Sequence, residues 1–379
     1  MKIALVIDDA LARPDGVQEY VRTIGRAMGD LGHEVHVLCS GEGGDPPAGI
    51  AAVYGLTSNV GVTFNGNGLR TPRPASRHRL REHLAAEQYD VIHVQTPHSP
   101  FFAARVVRSA RRVQGDAVHI VATFHILPDG AVSEWGTRAL GLTLRRNLRV
   151  FDAFAAVSAP AAAFALRAFN IGATVIPNAV RVDEIAAQAS AQPWPADARG
   201  RVVVAFLGRL VERKGAVELV QAVAALPADV RDGVALRIGG KGPLRGHIEE
   251  LVARHRLGDT VSLEGFVADE AKPGFLAAAD LAVFPATGGE SFGIVLTEAM
   301  AAGAGAVLGG DNPGYSWTLD NPAAVIDPRD TAAFAARLAT LIADPDARAA
   351  IHTQQAARVR DFDMSVVTER VLSLYQRRG

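Results

Sequence analysis

Cysteine, net charge and long apolar runs are all scarce in this chain, and each scarcity removes a class of function. The single cysteine in 379 residues, Cys39, excludes an internal disulfide. It ends the apolar run over 35–38 with no local motif or histidine partner, and reads as a buried core thiol rather than a nucleophile. A formal net charge of −1 offers no bulk attraction for nucleic acid. No apolar run approaches the roughly 18 uninterrupted residues of a membrane span. The N-terminal run, 3–7, is too short for a signal peptide and is followed at once by Asp8. The protein is therefore expected in the cytoplasm, with any membrane contact peripheral.

Cofactor signatures are missing as well. The first turn reads Ala12-Arg13-Pro14-Asp15-Gly16, with no Gly-x-Gly-x-x-Gly, which argues against a dinucleotide oxidoreductase. No Gly-Lys-Ser/Thr completes a Walker A loop. Asp8 and Asp9 are adjacent, not spaced as Asp-x-Asp, and no His/Cys cluster has transition-metal spacing. No metal site and no cofactor are expected.

What is present is an α/β pattern written twice. A length of 379 residues suits two domains of about 100–200 residues each. With 49% hydrophobic and 21% charged residues the chain is a soluble globular one. Strands are predicted over 3–7, 35–38, 91–94, 120–123, 153–157 and 174–176, separated by helical runs, the first over 17–31 closed by Gly32. The pattern is that of a parallel, doubly wound sheet. Gly16 falls at a helix N-terminus, where backbone N–H groups can face an anion. Pro177-Asn178 breaks the pattern and the segment 192–200 reads as a linker. Strands resume over 201–207, 235–238, 261–263, 281–284 and 306–308. A cleft between the two halves is the expected place for a ligand.

Two glutamates carry the chemistry. Glu290 lies in a loop after the strand 281–284, and Glu298 lies in a helix predicted over 294–302. Eight helical residues advance roughly 12 Å, against about 5–9.5 Å between paired glycosidase carboxylates. The pair is thus expected to hold different parts of one extended ligand, although spacing alone fits two solvated glutamates equally well. Upstream, Gly208-Arg209-Leu210-Val211-Glu212-Arg213-Lys214-Gly215 follows directly on a strand. A glycine turn with two cations there makes a cradle for a diphosphate, Arg209 binding as a fork and Lys214 as a point charge; read alone, it is a basic surface loop. Gly239-Gly240-Lys241-Gly242-Pro243 could likewise approach phosphate or merely turn the chain.

In combination these motifs are more specific. Gly208-Arg209 with Lys214-Gly215, Gly289-Glu290-Ser291-Phe292-Gly293, and Glu298-Ala299-Met300-Ala301-Ala302-Gly303 resemble the retaining family-4 glycosyltransferases of GT-B fold, with two Rossmann-like doubly wound domains facing a central cleft. The resemblance spans essentially the whole chain. It is nearest to the phosphatidylinositol α-mannosyltransferases, through Gly16-Val17-Gln18, Thr123-Phe124-His125, Ile176-Pro177-Asn178, Gly289 to Val295, and Asp363-Met364-Ser365-Val366-Val367.

The resemblance implies roles. Arg209 and Lys214 would neutralise the donor diphosphate, Glu298 would bond the ribose hydroxyls, and Gly16 would admit phosphate close to the backbone. Glu290, with the backbone of Phe292, Gly293 and Ile294, would contact the donor sugar. His125 would belong to the donor and acceptor centre. Val267, Asp269 and Lys272 would meet guanine, making GDP-mannose the expected donor, since a carboxylate can accept from guanine N1–H and the 2-amino group. Gln18 and Arg70 would contact the acceptor. Two departures leave a different acceptor open: Gly130 stands where the family carries a lysine, and Asp9 replaces a tyrosine. The final helix would return to the first domain, so the implied domains are 1–178 with 362–379, and 200–361, joined by a linker over 179–199.

The expected function is a metal-independent retaining transfer of a hexose, mannose from GDP-mannose, to a hydroxyl of a membrane-associated, phosphatidylinositol-type acceptor. The competing readings are a family-4 transferase using a UDP-sugar and another soluble or lipid acceptor, a nucleotide-sugar epimerase or phosphorylase, and a sugar-binding protein. The segment 70–84 holds Arg70, Arg73, Arg77, Arg79 and Arg81, with Leu80 and Leu84 four apart on one helical face. It reads as a basic amphipathic helix for an anionic membrane, the inner face of the plasma membrane, or as an ordinary solvated helix. Arg105, Arg108, Arg111 and Arg112 would enlarge the basic surface if they face the same side.

Overall fold

Apolar runs of four to six residues form the interior of two wholly parallel sheets. A computed structural model describes residues 1–12, 16–64, 67–97, 99, 101–127, 147–197 and 199–376, with the backbone alone at 60–64 and 67–71. The chain divides into one unit of Met1–Ala179 with Met364–Gly379, and a second of Val180–Asp363.

The first unit contains β1 (Lys2–Ile7), β2 (Glu34–Ser40), β3 (Ala52–Thr57), β4 (Asn59–Phe64), β5 (Asn67–Pro72), β6 (Val91–Val94), β7 (His119–Phe124), β8 (Ala153–Ala156) and β9 (Thr174–Val175). Seven of these form a sheet in the order β3-β2-β1-β6-β7-β8-β9. Both faces of β1 are buried, which is why it reads as a continuous apolar run. Ile3, Leu5 and Ile7 pack with Val21, Ile24 and Met28 of the helix Gly16–Asp30, while Ala4 and Val6 pack with Leu80, Leu84, Val106 and Val107 on the other side. The helix Met364–Tyr375 follows the second unit and adds Val367, Val371, Leu374 and Tyr375 to the first of these cores.

The second unit contains β10 (Val202–Leu207), β11 (Val234–Gly239), β12 (Val261–Gly265), β13 (Leu281–Phe284), β14 (Ala306–Gly310) and β15 (Val325–Ile326), ordered β12-β11-β10-β13-β14-β15. Each sheet reverses direction of growth once, at β1/β6 and at β10/β13. The carboxyl ends of strands at such a reversal are where open α/β sheets hold ligands.

Two features depart from the sequence reading. β4 and β5 form an antiparallel hairpin, and β3 adds an edge strand; their Gly, Asn and Thr content hides any apolar alternation. Residues 179–199, expected as a linker, hold the helix Val182–Ala191, with Asp183 and Glu184 in its first turn. It packs on the helices Lys272–Ala277 and Ile294–Ala302 of the second unit.

Candidate active site

The loops that leave β10 and β13 at the reversal of the second sheet are joined to each other. Thr287 N–H donates to the Arg213 carbonyl at 3.0 Å. Gly215, with φ +77°, presses so close to the β13 loop that a Cβ there would lie 1.9 Å from the Pro285 carbonyl oxygen. The junction places a one-turn 3₁₀ helix, Glu212–Lys214, beside Glu290.

Three charged groups meet on one oxygen. Lys214 Nζ lies 2.7 Å and Arg213 2.6 Å from Glu290 Oε1. The glutamate side chain is 12% exposed, the lysine 19% and the arginine 40%. Two cations against one carboxylate leave a net positive cluster at the strand ends, and Arg209 stands exposed in the same loop. Lys214 and Glu290 were both expected at a donor; Arg213 was not. Its only signal was a second basic residue beside Lys214 in a loop after a strand.

The Glu290 loop is fixed from behind by the helix Pro313–Leu319. Thr318 Oγ1 donates to the Phe292 carbonyl at 2.6 Å, and Asn312 Nδ2 to the Ala286 carbonyl at 3.2 Å. Asn312 Oδ1 meanwhile accepts from Tyr315 N–H at 3.0 Å, capping its own helix. Gly314 packs against the loop so tightly that a Cβ would lie 2.1 Å from the Glu290 carbonyl oxygen. Phe292 is buried, and Gly293 begins the helix Ile294–Ala302. Glu298 lies on that helix, half-buried. Only the step from Ile294 to Glu298 is helical, a rise of about 6 Å. The expectation of roughly 12 Å assumed eight helical residues, and the first four of those steps lie in the turn before the helix.

Of the three expected base contacts, Asp269 and Lys272 form an ion pair at 2.5 Å, and Val267 is buried. The neighbouring Phe266, absent from the sequence reading, is 65% exposed and carries Lys241 Nζ 5.1 Å from its ring centre.

In the first unit, His125 follows β7, and its Nε2 lies 2.9 Å from Gln95 Oε1. Tyr20 packs edge-on against it, ring centres 4.8 Å apart. Gln18 is buried and donates to the Ala10 carbonyl at 3.4 Å, so it braces the loop after β1. Gly16 starts its helix in an exposed position. Arg70 pairs with Gly61 in the β4–β5 hairpin, its side chain outside the described residues, as is Gly130.

The Glycosyltransferase Family 4 model matches residues 14–184 and the Glycosyl transferases group 1 model residues 192–358. A phosphatidyl-myo-inositol mannosyltransferase of Mycolicibacterium smegmatis is 32% identical over 99% of this chain and 94% of its own length. The chain belongs to glycosyltransferase family 4.

A phosphatidyl-myo-inositol mannosyltransferase of Mycobacterium tuberculosis is also 32% identical, over 99% of this transferase and 97% of its own length. The same organism's GDP-mannose-dependent α-(1-6)-phosphatidylinositol monomannoside mannosyltransferase is 28% identical over 91% and 90%. Among solved structures, sucrose-phosphate synthase of Thermosynechococcus elongatus superposes with a TM-score of 0.74 at 23% identity, covering 99% and 98% of the two chains. Anabaena HepE in complex with UDP gives 0.73 at 19%, covering 98% and 99%. The transferase therefore has the GT-B fold.

Several of its charged groups are engaged by the chain itself. Asp8 accepts from Ala103 N–H at 2.9 Å and from the Ser99 hydroxyl, and burial pushes its pKa up to about 6. Asp9 accepts from Ala10 N–H at 2.8 Å and Asn59 Nδ2 at 2.9 Å. Cys39 is buried, its thiol raised to about 11. Among the described residues, Glu34, His36 and Glu87 alone have the proximity of a metal-ligand set. Lys2 Nζ bridges the two carboxylates at 3.1 and 2.6 Å, where a cation would sit.

The basic helix needs a correction. Leu80 and Leu84, expected to form an apolar face toward lipid, are buried in the first unit's core. Arg73, Arg77 and Arg79 are exposed on the helix Arg77–Glu87 and just before it, and Arg81 is half-buried. Arg105 donates to the Ala75 carbonyl, and Arg111 pairs with Asp152 at 2.5 Å, so neither is spare surface charge. Among the described residues no helix is long and apolar enough to cross a membrane.

Proposed function

We propose that the transferase moves mannose from GDP-mannose to a hydroxyl of a phosphatidylinositol-type acceptor, with retention and without a metal ion. The observation that carries this reading is the Lys214–Glu290–Arg213 cluster at the β10/β13 reversal, with Glu298 about one turn into the helix that follows. Its support is full-length similarity to relatives named phosphatidyl-myo-inositol mannosyltransferase. Lys214 and Arg209 hold the diphosphate, Glu298 the ribose, Glu290 and the backbone of Phe292, Gly293 and Ile294 the sugar, and Val267, Asp269 and Lys272 the guanine. Gly16, Gln18, Arg70 and His125 serve the phosphate and acceptor side.

Glu290 holds two cations, which suits an orienting carboxylate better than a nucleophile. Attack on the same face as the departing diphosphate, assisted by its oxygen, then accounts for retention. Charge on the leaving group is met by Arg209, Lys214 and helix-end amides already in place. Asp8 and Asp9 are occupied by Ala103, Ser99, Ala10 and Asn59, in keeping with catalysis free of a divalent ion.

The deciding assay measures donor hydrolysis and transfer over a panel of nucleotide sugars, with phosphatidylinositol and other lipids as acceptors, with and without chelator. Transfer from GDP-mannose to phosphatidylinositol that survives chelation is expected. Calorimetry showing tight UDP and negligible GDP binding overturns the donor, and a metal-restorable loss overturns the metal-free step. The second reading, a UDP-sugar with another acceptor, is favoured by Asp9, an anion held by Asn59 at the strand end where an anionic headgroup would approach. The reading puts the transferase in the cytoplasm, drawn to the inner membrane face by charge alone through Arg73, Arg77 and Arg79.

A further inference from the structure

We propose that the Tyr315 hydroxyl belongs to the donor site and donates a hydrogen bond to a hydroxyl of the transferred hexose. The inference rests on reading Glu290 and the turn at Gly293 as the sugar end of that site.

Tyr315 lies in the first turn of the helix Pro313–Leu319, where the Asn312 side chain accepts from its N–H at 3.0 Å. Its ring is held between two glycines. A Cβ at Gly293 would lie 2.5 Å from Tyr315 Cε1, and one at Gly309 of β14 would lie 3.1 Å from Cδ2. Gly293, with φ +99°, is the residue from which the helix carrying Glu298 starts. The ring therefore packs directly against the turn that follows Glu290, and only glycine leaves it room there. Tyr315 is 1% exposed, yet its hydroxyl bonds no group among the described residues.

That hydroxyl holds nothing in place within the chain. Phenylalanine would fill the same space without taking an O–H group away from water. A partner that arrives with the ligand accounts for it, and the surroundings say which part of the ligand. The charges of Glu290 and Arg213 both act on the hydroxyl: burial lifts its pKa well above the usual tyrosine value, Glu290 adds to the rise and Arg213 works against it. The group so keeps its proton and stays neutral. A neutral donor is suited to recognising a sugar hydroxyl, not to neutralising phosphate. Lys214 and Arg209 take the diphosphate in this reading and Glu298 the ribose, which leaves the hexose beside Gly293 and Glu290. A sugar lacking the hydroxyl that meets Tyr315 would then be selected against, because the phenol would again be left without a partner.

The test is a double cycle on the full chain, crossing Tyr315→Phe with donors that each lack one sugar hydroxyl. The variant should melt at the wild-type temperature and bind the nucleoside diphosphate as wild type does, while kcat/KM for transfer falls about tenfold. One deoxy donor should cost wild type about the same factor and cost the variant nothing further, since both changes remove one bond. Every other deoxy donor should cost the two proteins equally. A folded Phe variant with wild-type kcat/KM, or losses that add for every deoxy donor, overturns the proposal. So does a loss of nucleoside diphosphate affinity, which would put the contact at the other end of the ligand. The cycle is run with whichever nucleotide hexose the protein turns over, so a donor other than GDP-mannose and a Tyr315 without a role give different results.

Discussion

Glu290 accepts from two cations on one oxygen, and those two cations have separable tasks. A donor diphosphate would draw Lys214 away, after which Arg213 alone holds the carboxylate in place. Lys214→Gln should weaken nucleotide-diphosphate binding by about tenfold to a hundredfold, the worth of a charge-assisted contact. Arg213→Gln should instead lower kcat by about tenfold while leaving nucleotide affinity near wild type. Titration calorimetry with GDP beside steady-state kinetics separates the two, and equal affinity losses would contradict the division. Lys214 and Glu290 were legible in the sequence because each sits in a glycine-bounded motif after a strand. Arg213 was not, since a basic residue beside another basic residue in a loop carries no signal until its partner is placed 2.6 Å away.

Asp8 shows the same limit for electrostatics. Its pKa is raised to about 6 by burial, against which the Ser99 and Ala103 hydrogen bonds work. A native carboxyl that holds its proton more tightly than the unfolded chain contributes stability at low pH, lost as pH rises from about 4 through about 6. Asp8→Asn should abolish that part of the slope, about 1–3 kcal/mol between those limits, in denaturant titrations at pH 4.5 and 7. Equal slopes for both proteins would show that the two hydrogen bonds keep Asp8 ionised throughout.

Among elements, the helix Pro313–Leu319 acts on the site without reaching it. Asn312, Gly314 and Thr318 each grip the backbone of the 286–292 loop, so the position of Glu290 is inherited from this helix. Gly314→Ala must push the Glu290 carbonyl away, which should cost about 1–3 kcal/mol of stability and lower kcat by about a hundredfold in the protein that remains folded. Thr318→Val, which leaves a buried carbonyl without its donor, should cost about 1–3 kcal/mol of stability. Activity unchanged in Gly314→Ala would show that the loop position is not limiting. Elements of this kind were half readable. The helix Ile294–Ala302 and the strand Leu281–Phe284 matched the apolar pattern residue for residue. The helix at Val182–Ala191 was masked by the proline cluster that follows it, and the hairpin by glycine and asparagine in place of alternation.

For the whole molecule, the repeated strand order matters more than any motif, because it puts the loops carrying Gln95 and Glu290 at equivalent reversals of two unrelated sequences. Composition could not show this; strand order is a property of pairing, and only the run of strands was legible. The surface has its own consequence. With Leu80 and Leu84 committed to the core, the membrane contact proposed above would rest on Arg73, Arg77 and Arg79. Such contact is worth about 1 kcal/mol per cation and is screened by salt. Vesicle sedimentation should show binding to phosphatidylinositol-rich but not neutral vesicles, largely lost when ionic strength is raised from about 0.05 M to about 0.5 M, where the Debye length shortens severalfold. Binding that persists in high salt would point to an apolar anchor instead.

The helix Met364–Tyr375 closes the core of the first unit with Val367 and Val371, yet the chain makes it only after the second unit. The second unit stands between, roughly 180 residues of it. At about 5–20 residues per second, the ribosome needs about 10–40 s to cross that distance. During translation the nascent first unit must wait, its sheet built but one greasy flank uncovered, a period in which chaperone capture competes with premature association between neighbouring chains on one messenger.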